Sequence, residues 1–238
     1  MNRRAFLVWT IIGAGGPSLC AATPPSADDV VRRMLEMDRL RSAALHQYTC
    51  IRHYFVENER FSREASETVD ESYVAPGPKQ FKVVSKSGSP FIHRRVIDKL
   101  IDAEADAGKK ENSDQTHIAP QDYAFQLVGT EQVDGRTCYV LELNPRFSKK
   151  YLMKGRIWID ATDYAIVRMD GSPAKNPSLW TRKVHFVRRY EQHGSFWLPS
   201  LTESDSDVFI AGESVLKIEY SDYRIDAEPV PPARSGPP

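Results

Sequence analysis

Gly155-Arg-Ile-Trp-Ile-Asp-Ala-Thr-Asp-Tyr-Ala-Ile-Val-Arg-Met169 reads as two β-strands around a short turn, and this stretch decides the fold class. Ile157 and Ile159 alternate with Arg156, Trp158 and Asp160, the period of a strand with one buried face. Ala161-Thr-Asp163 interrupts the run with turn residues. Outward from here the pattern repeats from Tyr123 to Ile225. Phe125-Gln-Leu-Val128, Thr137-Cys-Tyr-Val-Leu-Glu-Leu143, Lys183-Val-His-Phe-Val187, Phe196-Trp-Leu198 and Val215-Leu-Lys-Ile-Glu-Tyr220 are strand-like. Asp134-Gly135, Asn144-Pro145, Asp170-Gly171 and His193-Gly194 supply turns. A series of this kind forms an antiparallel meander, and a long meander curls to bury one face.

Two helical patterns precede or interrupt the first strands. Ser26-Ala-Asp-Asp29 offers an N-cap with acid in the first turn, and Val30, Val31, Met34, Leu35 and Leu40 keep helical spacing. A second helix is expected over residues 92–107, with Val96, Ile97, Leu100 and Ile101 as its apolar stripe and Asp98 and Asp102 facing away. Between the two, residues 48–56, 65–74 and 80–85 read as strands, Ala75-Pro-Gly-Pro78 as a turn, and 108–121 as a polar loop. The expected fold class is α+β: an antiparallel β-sheet curled into an open half-barrel, with two or more helices covering the concave face.

The first residues indicate export. Asn2-Arg3-Arg4 is basic, residues 5–16 are apolar, and Cys20-Ala21-Ala22 are small, so residues 1–22 read as a cleaved signal. Arg3-Arg4-Ala5-Phe6-Leu7 fits a twin-arginine signal as well as an ordinary secretory one. The expected location is the periplasm. Residues 26–226 form one domain, and the Pro-rich residues 227–238 read as a disordered tail. The chain carries 32 basic and 32 acidic residues, which gives no electrostatic footprint for nucleic acid. A monomer is expected. Cys50 and Cys138 remain after signal removal; in an oxidising compartment they read either as a disulfide or as two buried thiols.

Catalytic patterns are missing from this sequence. His46, His53, His93, His117, His185 and His193 keep no zinc-motif spacing, no Cys pair frames a metal, and no G-x-S-x-G or phosphate-binding glycine loop occurs. Glu203, Asp205 and Asp207 share a strand face that reads as solvated rather than as a calcium site. No catalytic residue, metal or cofactor is expected, and the chain is read as a non-enzyme.

Strand alternation instead outlines a lining. Phe81, Val83, Tyr139, Leu141, Leu143, Ile157, Ile159, Val167, Met169, Val184, Phe186, Leu216, Ile218 and Tyr220 fall on one face of their strands. They line a cavity or form a dry core against the helices; periodicity leaves both open. Trp158, Trp180, Trp197 and Tyr223 fall on the other face, as a partner patch or as cross-strand pairs.

The stretch from Gly155 to Arg168, with Lys183-Val-His-Phe-Val187, Gly194-Ser-Phe-Trp-Leu-Pro199 and Ile218-Glu-Tyr-Ser-Asp-Tyr223, resembles bacterial exported proteins of the outer-membrane lipoprotein-sorting type. These belong to the superfamily of LolA, LolB and the N-terminal part of RseB. The resemblance covers about residues 30–226 and is strongest after Gly129. It implies a half-barrel plugged by helices and an apolar cleft for acyl chains of lipoproteins or phospholipids. It also implies inner- and outer-membrane protein partners. On it the chain is expected to be a periplasmic carrier or chaperone; the alternative is a periplasmic sensor or envelope-assembly protein that uses the same sheet to bind a protein.

Overall fold

The computed structural model describes residues 24–60, 63–107, 118–149, 152–175, 181–208 and 212–233. The expected signal over residues 1–22 and Trp180 lie outside them, as does most of the expected loop 108–121. The first helix spans Ala27–Ala44 and begins where the sequence signals it: the Ser26 hydroxyl accepts the Asp29 N–H at 3.2 Å, and Asp28 and Asp29 occupy the positive end of the helix dipole. Ten strands follow: β1 Leu45–Asn58, β2 Arg63–Val74, β3 Gln80–Gly88, β4 Tyr123–Val133, β5 Arg136–Pro145, β6 Met153–Asp160, β7 Ile166–Pro173, β8 Thr181–His193, β9 Phe196–Val208 and β10 Gly212–Ala227. The second helix lies between β3 and β4 and runs through Pro90–Ile92, a π-helical turn His93–Ile97, and Asp98–Ala107. No helix among the described residues is long and apolar enough to cross a membrane.

All ten strands form one antiparallel sheet in the order β3-β2-β1-β10-β9-β8-β7-β6-β5-β4. The last strand returns to the first, with Leu45 opposite Ala227 and Asn58 opposite Ser214. The two edges, β3 and β4, are not paired to each other, so the half-barrel stays open. The chain must pass from one edge to the other, and the second helix is part of that passage. Its π-turn inserts one extra residue, and Ile92, His93 and Ile97 all become buried against the sheet.

Two apolar clusters cover the concave face. Val30, Val31, Met34 and Met37 of the first helix pack on Leu141, Leu143, Ile157 and Ile159. Ile92 and Ile97 of the second pack with Tyr54, Val56, Val69, Ile218 and Tyr220. Full burial of each such aliphatic side chain contributes about 1.5–3 kcal/mol. A third, smaller cluster of Cys138, Val140, Trp158 and Val167, with Trp197 against it, lies on the convex face.

Three sequence expectations are corrected here. Asp170-Gly171 is not a turn but lies inside β7, where Gly171 pairs with Gly155 of β6. Both glycines are there because the backbones approach closely: a Cβ on Gly155 would overlap the Asp170 carbonyl oxygen and stand 2.6 Å from Gly171 Cα. Cys50 and Cys138 are free thiols, not a disulfide; they lie in different clusters, one on each face of the sheet. Asn144-Pro145 likewise is not a turn but ends β5, where the two residues pair with Ala124 and Tyr123 of β4. At Asp134-Gly135 the turn chemistry holds: both take positive φ (49° and 79°), the conformation of a two-residue hairpin turn. Separately, Val230 and Ala233 in the described part of the tail pack against the first cluster, and residues 234–238 lie outside the described residues.

Two outcomes follow. Gly155→Ala is expected to cost about 1–3 kcal/mol, read as a lower midpoint in thermal or urea unfolding. In protein starting at residue 24, Cys50 and Cys138 should titrate as two thiols after denaturation without prior reduction, and reduction should leave the unfolding midpoint unchanged.

Candidate functional site: the concave face

Thirteen of the fourteen candidate lining residues lie on the concave face. Leu141, Leu143, Ile157 and Ile159 are fully buried beneath the first helix, with Tyr139 and Met169 at their margin. Ile218 and Tyr220 are buried in the second cluster, with Phe81 and Leu216 half-buried beside it. Val83 pairs with Val69 at the β3 edge and is 43% exposed. Val184 and Phe186 sit on β8 between the two helices and are half-buried. Val167 is the correction: a register shift after Trp158 pairs Ile159 with Ile166, so Ile166 turns inward and Val167 joins the convex cluster.

The middle of this face, over β8 and β9, is covered differently from its flanks. Phe186 pairs with Ser204, which pairs with Leu216; Val184 pairs with Ser206. The inward row of β9 is therefore Thr202, Ser204 and Ser206, small residues between two apolar rows. This strip of half-buried apolar side chains flanking small ones joins the two clusters, with Phe186 packed against the first and Leu216 against the second.

A buried polar seam, which the sequence reading does not single out, crosses the same face. On β1 the inward row is Tyr48, Cys50, Arg52, Tyr54 and Val56. Arg52, 1% exposed, donates to Glu71 of β2 and to Glu104 of the second helix, and its guanidinium lies between the rings of Phe81 (5.0 Å) and Tyr220 (4.9 Å). Tyr48 donates to Glu71 at 2.6 Å, and Lys79 approaches it at 3.2 Å. Arg188 of β8 stands 3.9 Å from the other oxygen of Glu104 and donates to Thr202 at 3.0 Å. Burial opposes the charge on Glu71, but Lys79, Arg52 and the bond from Tyr48 outweigh it and hold this carboxyl down at about 2. Glu104 is lowered in the same way, burial being overcome by Arg52, Lys79 and Arg188.

The second helix has further polar ties. His93 Nδ1 lies 2.8 Å from buried Glu67, and its Nε2 lies 2.9 Å from the Ser87 carbonyl. Lys86 of β3 joins Glu67 at 3.2 Å and Asp98 at 2.9 Å, so Asp98 does not face away from the sheet as its spacing suggests. Burial pushes the Cys50 thiol up to about 12 and the Cys138 thiol up to about 11, which keeps both protonated. Among the described residues no cluster of His, Cys, Asp and Glu could hold a metal ion. Glu203, Asp205 and Asp207 face Lys217, His185 and Lys183 across the ladders, as a solvated face would.

The convex aromatics are cross-strand partners. Trp158 donates to Glu131 at 2.7 Å with Arg168 over its ring at 4.6 Å, and Arg136 lies over Trp197 at 4.9 Å. Tyr223 does not join them: its ring lies tilted beside that of Tyr48, centroids 6.1 Å apart, because Asp222, with φ of 54°, shifts the β10 alternation. Grooves of about 530 and 610 Å³ also occur, lined by residues such as Thr49, Asp70, Lys82 and Arg224, and Lys183, His185, Asp205 and Glu213. The first also touches Glu71 and Phe81, and the second includes Val184 and Ser206 at one end of the concave strip.

A family model described as "Uncharacterized protein" matches residues 107–229, just over half of the chain, and the chain belongs to that family. No curated protein matches the sequence. Among solved structures, a putative outer membrane lipoprotein-sorting protein domain from Vibrio parahaemolyticus is similar at 13% identity, covering 84% of this chain and 93% of its own, with a TM-score of 0.48. A DUF1329 family protein from Desulfovibrio piger is similar at 15% identity, covering 85% and 94%, with a TM-score of 0.44. The LolA superfamily protein NE2245 from Nitrosomonas europaea is similar at 14% identity, covering 87% and 96%, with a TM-score of 0.39. The resemblance read in the sequence thus has counterparts among solved structures.

Because the Glu71 carboxyl titrates below its ordinary value of 4.5, the unfolded chain takes up the proton first. Its stabilisation is complete above about pH 4.5 and is lost as pH falls toward about 2. Glu71→Gln should flatten that part of the stability profile and, by leaving Arg52 under-compensated, cost about 3–5 kcal/mol at pH 7, measured by urea unfolding.

Proposed function

We propose that this chain is an exported periplasmic carrier that shields an acyl chain, from a lipoprotein or a phospholipid, in the concave face of its half-barrel. The observation that supports it best is the strip between the two helices, where Val184, Phe186 and Leu216 stay half-buried beside Ser204 and Ser206. Residues 1–22 would serve as the cleaved export signal. An acyl chain laid on this strip would extend the two existing clusters rather than create a separate site. Each methylene taken from water is worth about 0.8 kcal/mol, so about fifteen of them supply on the order of 10 kcal/mol before ordering costs. Part of that gain must go to displacing a helix, since most of the lining is already packed. The second helix is the more suitable lid: it ties to the sheet through separable ion pairs, and the chain reaches it from an open edge.

One observation favours a second reading. The outer side of β3 is an unpaired edge, with Val83 43% and Val84 56% exposed. Such an edge fits an added strand from a protein partner, the sensor or assembly role. Native mass spectrometry of the mature protein, purified from periplasm without detergent, separates the two. Co-purifying phospholipid or acylated peptide, lost in a folded Phe186→Asp variant, is the outcome expected. Lipid-free protein that takes up no fluorescent fatty acid would overturn the carrier reading.

A further inference from the structure

We propose that Arg52 and Arg188 form an anion site on the concave face, held by Glu104 in place of a ligand headgroup, and that the cleft takes a single-chain amphiphile with an anionic head. The inference rests on the carrier reading above and names its ligand class. Arg52 lies on β1 and Arg188 on β8, with β10 and β9 between them. Their guanidinium groups nonetheless converge on one carboxylate: Arg52 Nη1 donates to Glu104 Oε2, and Arg188 Nη2 stands 3.9 Å from Oε1. Two guanidinium groups, each on a different oxygen, are what a fatty-acid carboxylate or a phosphate ester would also meet.

Glu104 differs from its partners in one respect. Arg52, Arg188, Glu71 and Thr202 belong to the sheet, whereas Glu104 belongs to the second helix and leaves with it. Once it leaves, Arg52 keeps Glu71, but Arg188 keeps its hydrogen bond to the neutral Thr202. Arg52, Arg188 and Lys79 then face Glu71 as the seam's remaining carboxylate, in an enclosure of the rings of Phe81 and Tyr220. Arg188, 32% exposed, is then without a carboxylate, and an incoming anion regains that charge-assisted contact while a neutral head does not. The apolar part of the ligand has a matching track. Phe186 and Val184 continue the row of Arg188 along β8 for about 13 Å, with the small Ser204 and Ser206 beside them.

Binding of oleate and of oleyl alcohol, at concentrations below micelle formation, tests this in the wild-type protein, Glu104→Gln and Arg188→Met, each checked by circular dichroism and thermal melting. The measured quantity is the ratio of oleate to alcohol affinity. Glu104→Gln should raise it by about tenfold, and Arg188→Met should bring it close to one. Equal ratios in all three proteins would overturn the anion site while leaving the carrier reading standing. Absence of any amphiphile binding in all three would remove both. Inorganic phosphate is the third probe: displacement of oleate by millimolar phosphate would assign the site to free anions and overturn the amphiphile assignment.

Discussion

A ten-stranded antiparallel sheet whose edges do not meet exposes one concave face, and the apolar side chains on that face must be covered. Pairing of β10 with β1 curls the sheet and brings both halves of that face together. Each half then receives its own helix, the first over β5 and β6 and the second over β1, β2 and β10. The helices do not merge into one layer. The strip between them, and the polar seam that crosses it, follow from that division.

The seam also shows why charges are tolerated so deep in the fold. Arg52 is enclosed by two rings and bonded to two carboxylates, and Glu71 is bonded by Tyr48, Arg52 and Lys79. A buried ion group of this kind adds little net stability compared with an apolar one, but it punishes any arrangement that separates its members. Arg52 and Tyr48 of β1 bind Glu71 of β2 and keep the two strands in register, and Lys79, just before β3, adds its charge to the same carboxylate. Glu104 alone comes from a different layer. The same cluster thus ties strand to strand and sheet to helix.

Much of this was legible in the sequence because alternation is a local signal. Leu141, Leu143, Ile157, Ile159, Ile218 and Tyr220 fall inward as their period indicates, and Ser26 and Asp134-Gly135 mark a helix start and a hairpin by their own chemistry. What was not legible depends on a partner strand. Val167 faces outward because β7 slips by a residue against β6, and nothing in its own neighbours encodes that slip. Asp170-Gly171 looks like a turn, but its glycine answers to Gly155 across the ladder. The seam left a fainter trace: Arg52 within the inward row of β1, and Glu67 and Glu71 within that of β2, are charges at positions whose period demands apolar residues. Such residues signal buried partners without saying which, since Glu104 and Arg188 lie far along the chain.

The pairing of the last strand with the first has a kinetic side. A chain that emerges N-terminus first presents β1 with β2 and β3 early, yet the other neighbour of β1 is the final strand. Until β10 arrives, the hydrogen-bonding groups along one side of β1 stay open, and Ile92 and Ile97 have only part of their platform. Loop closure over nearly the whole domain must precede the contacts that reward it, which is the topology of a slow folder. During that interval the strand is sticky, and a holding chaperone would find its best target there rather than in the meander, whose strands each find their neighbour at once.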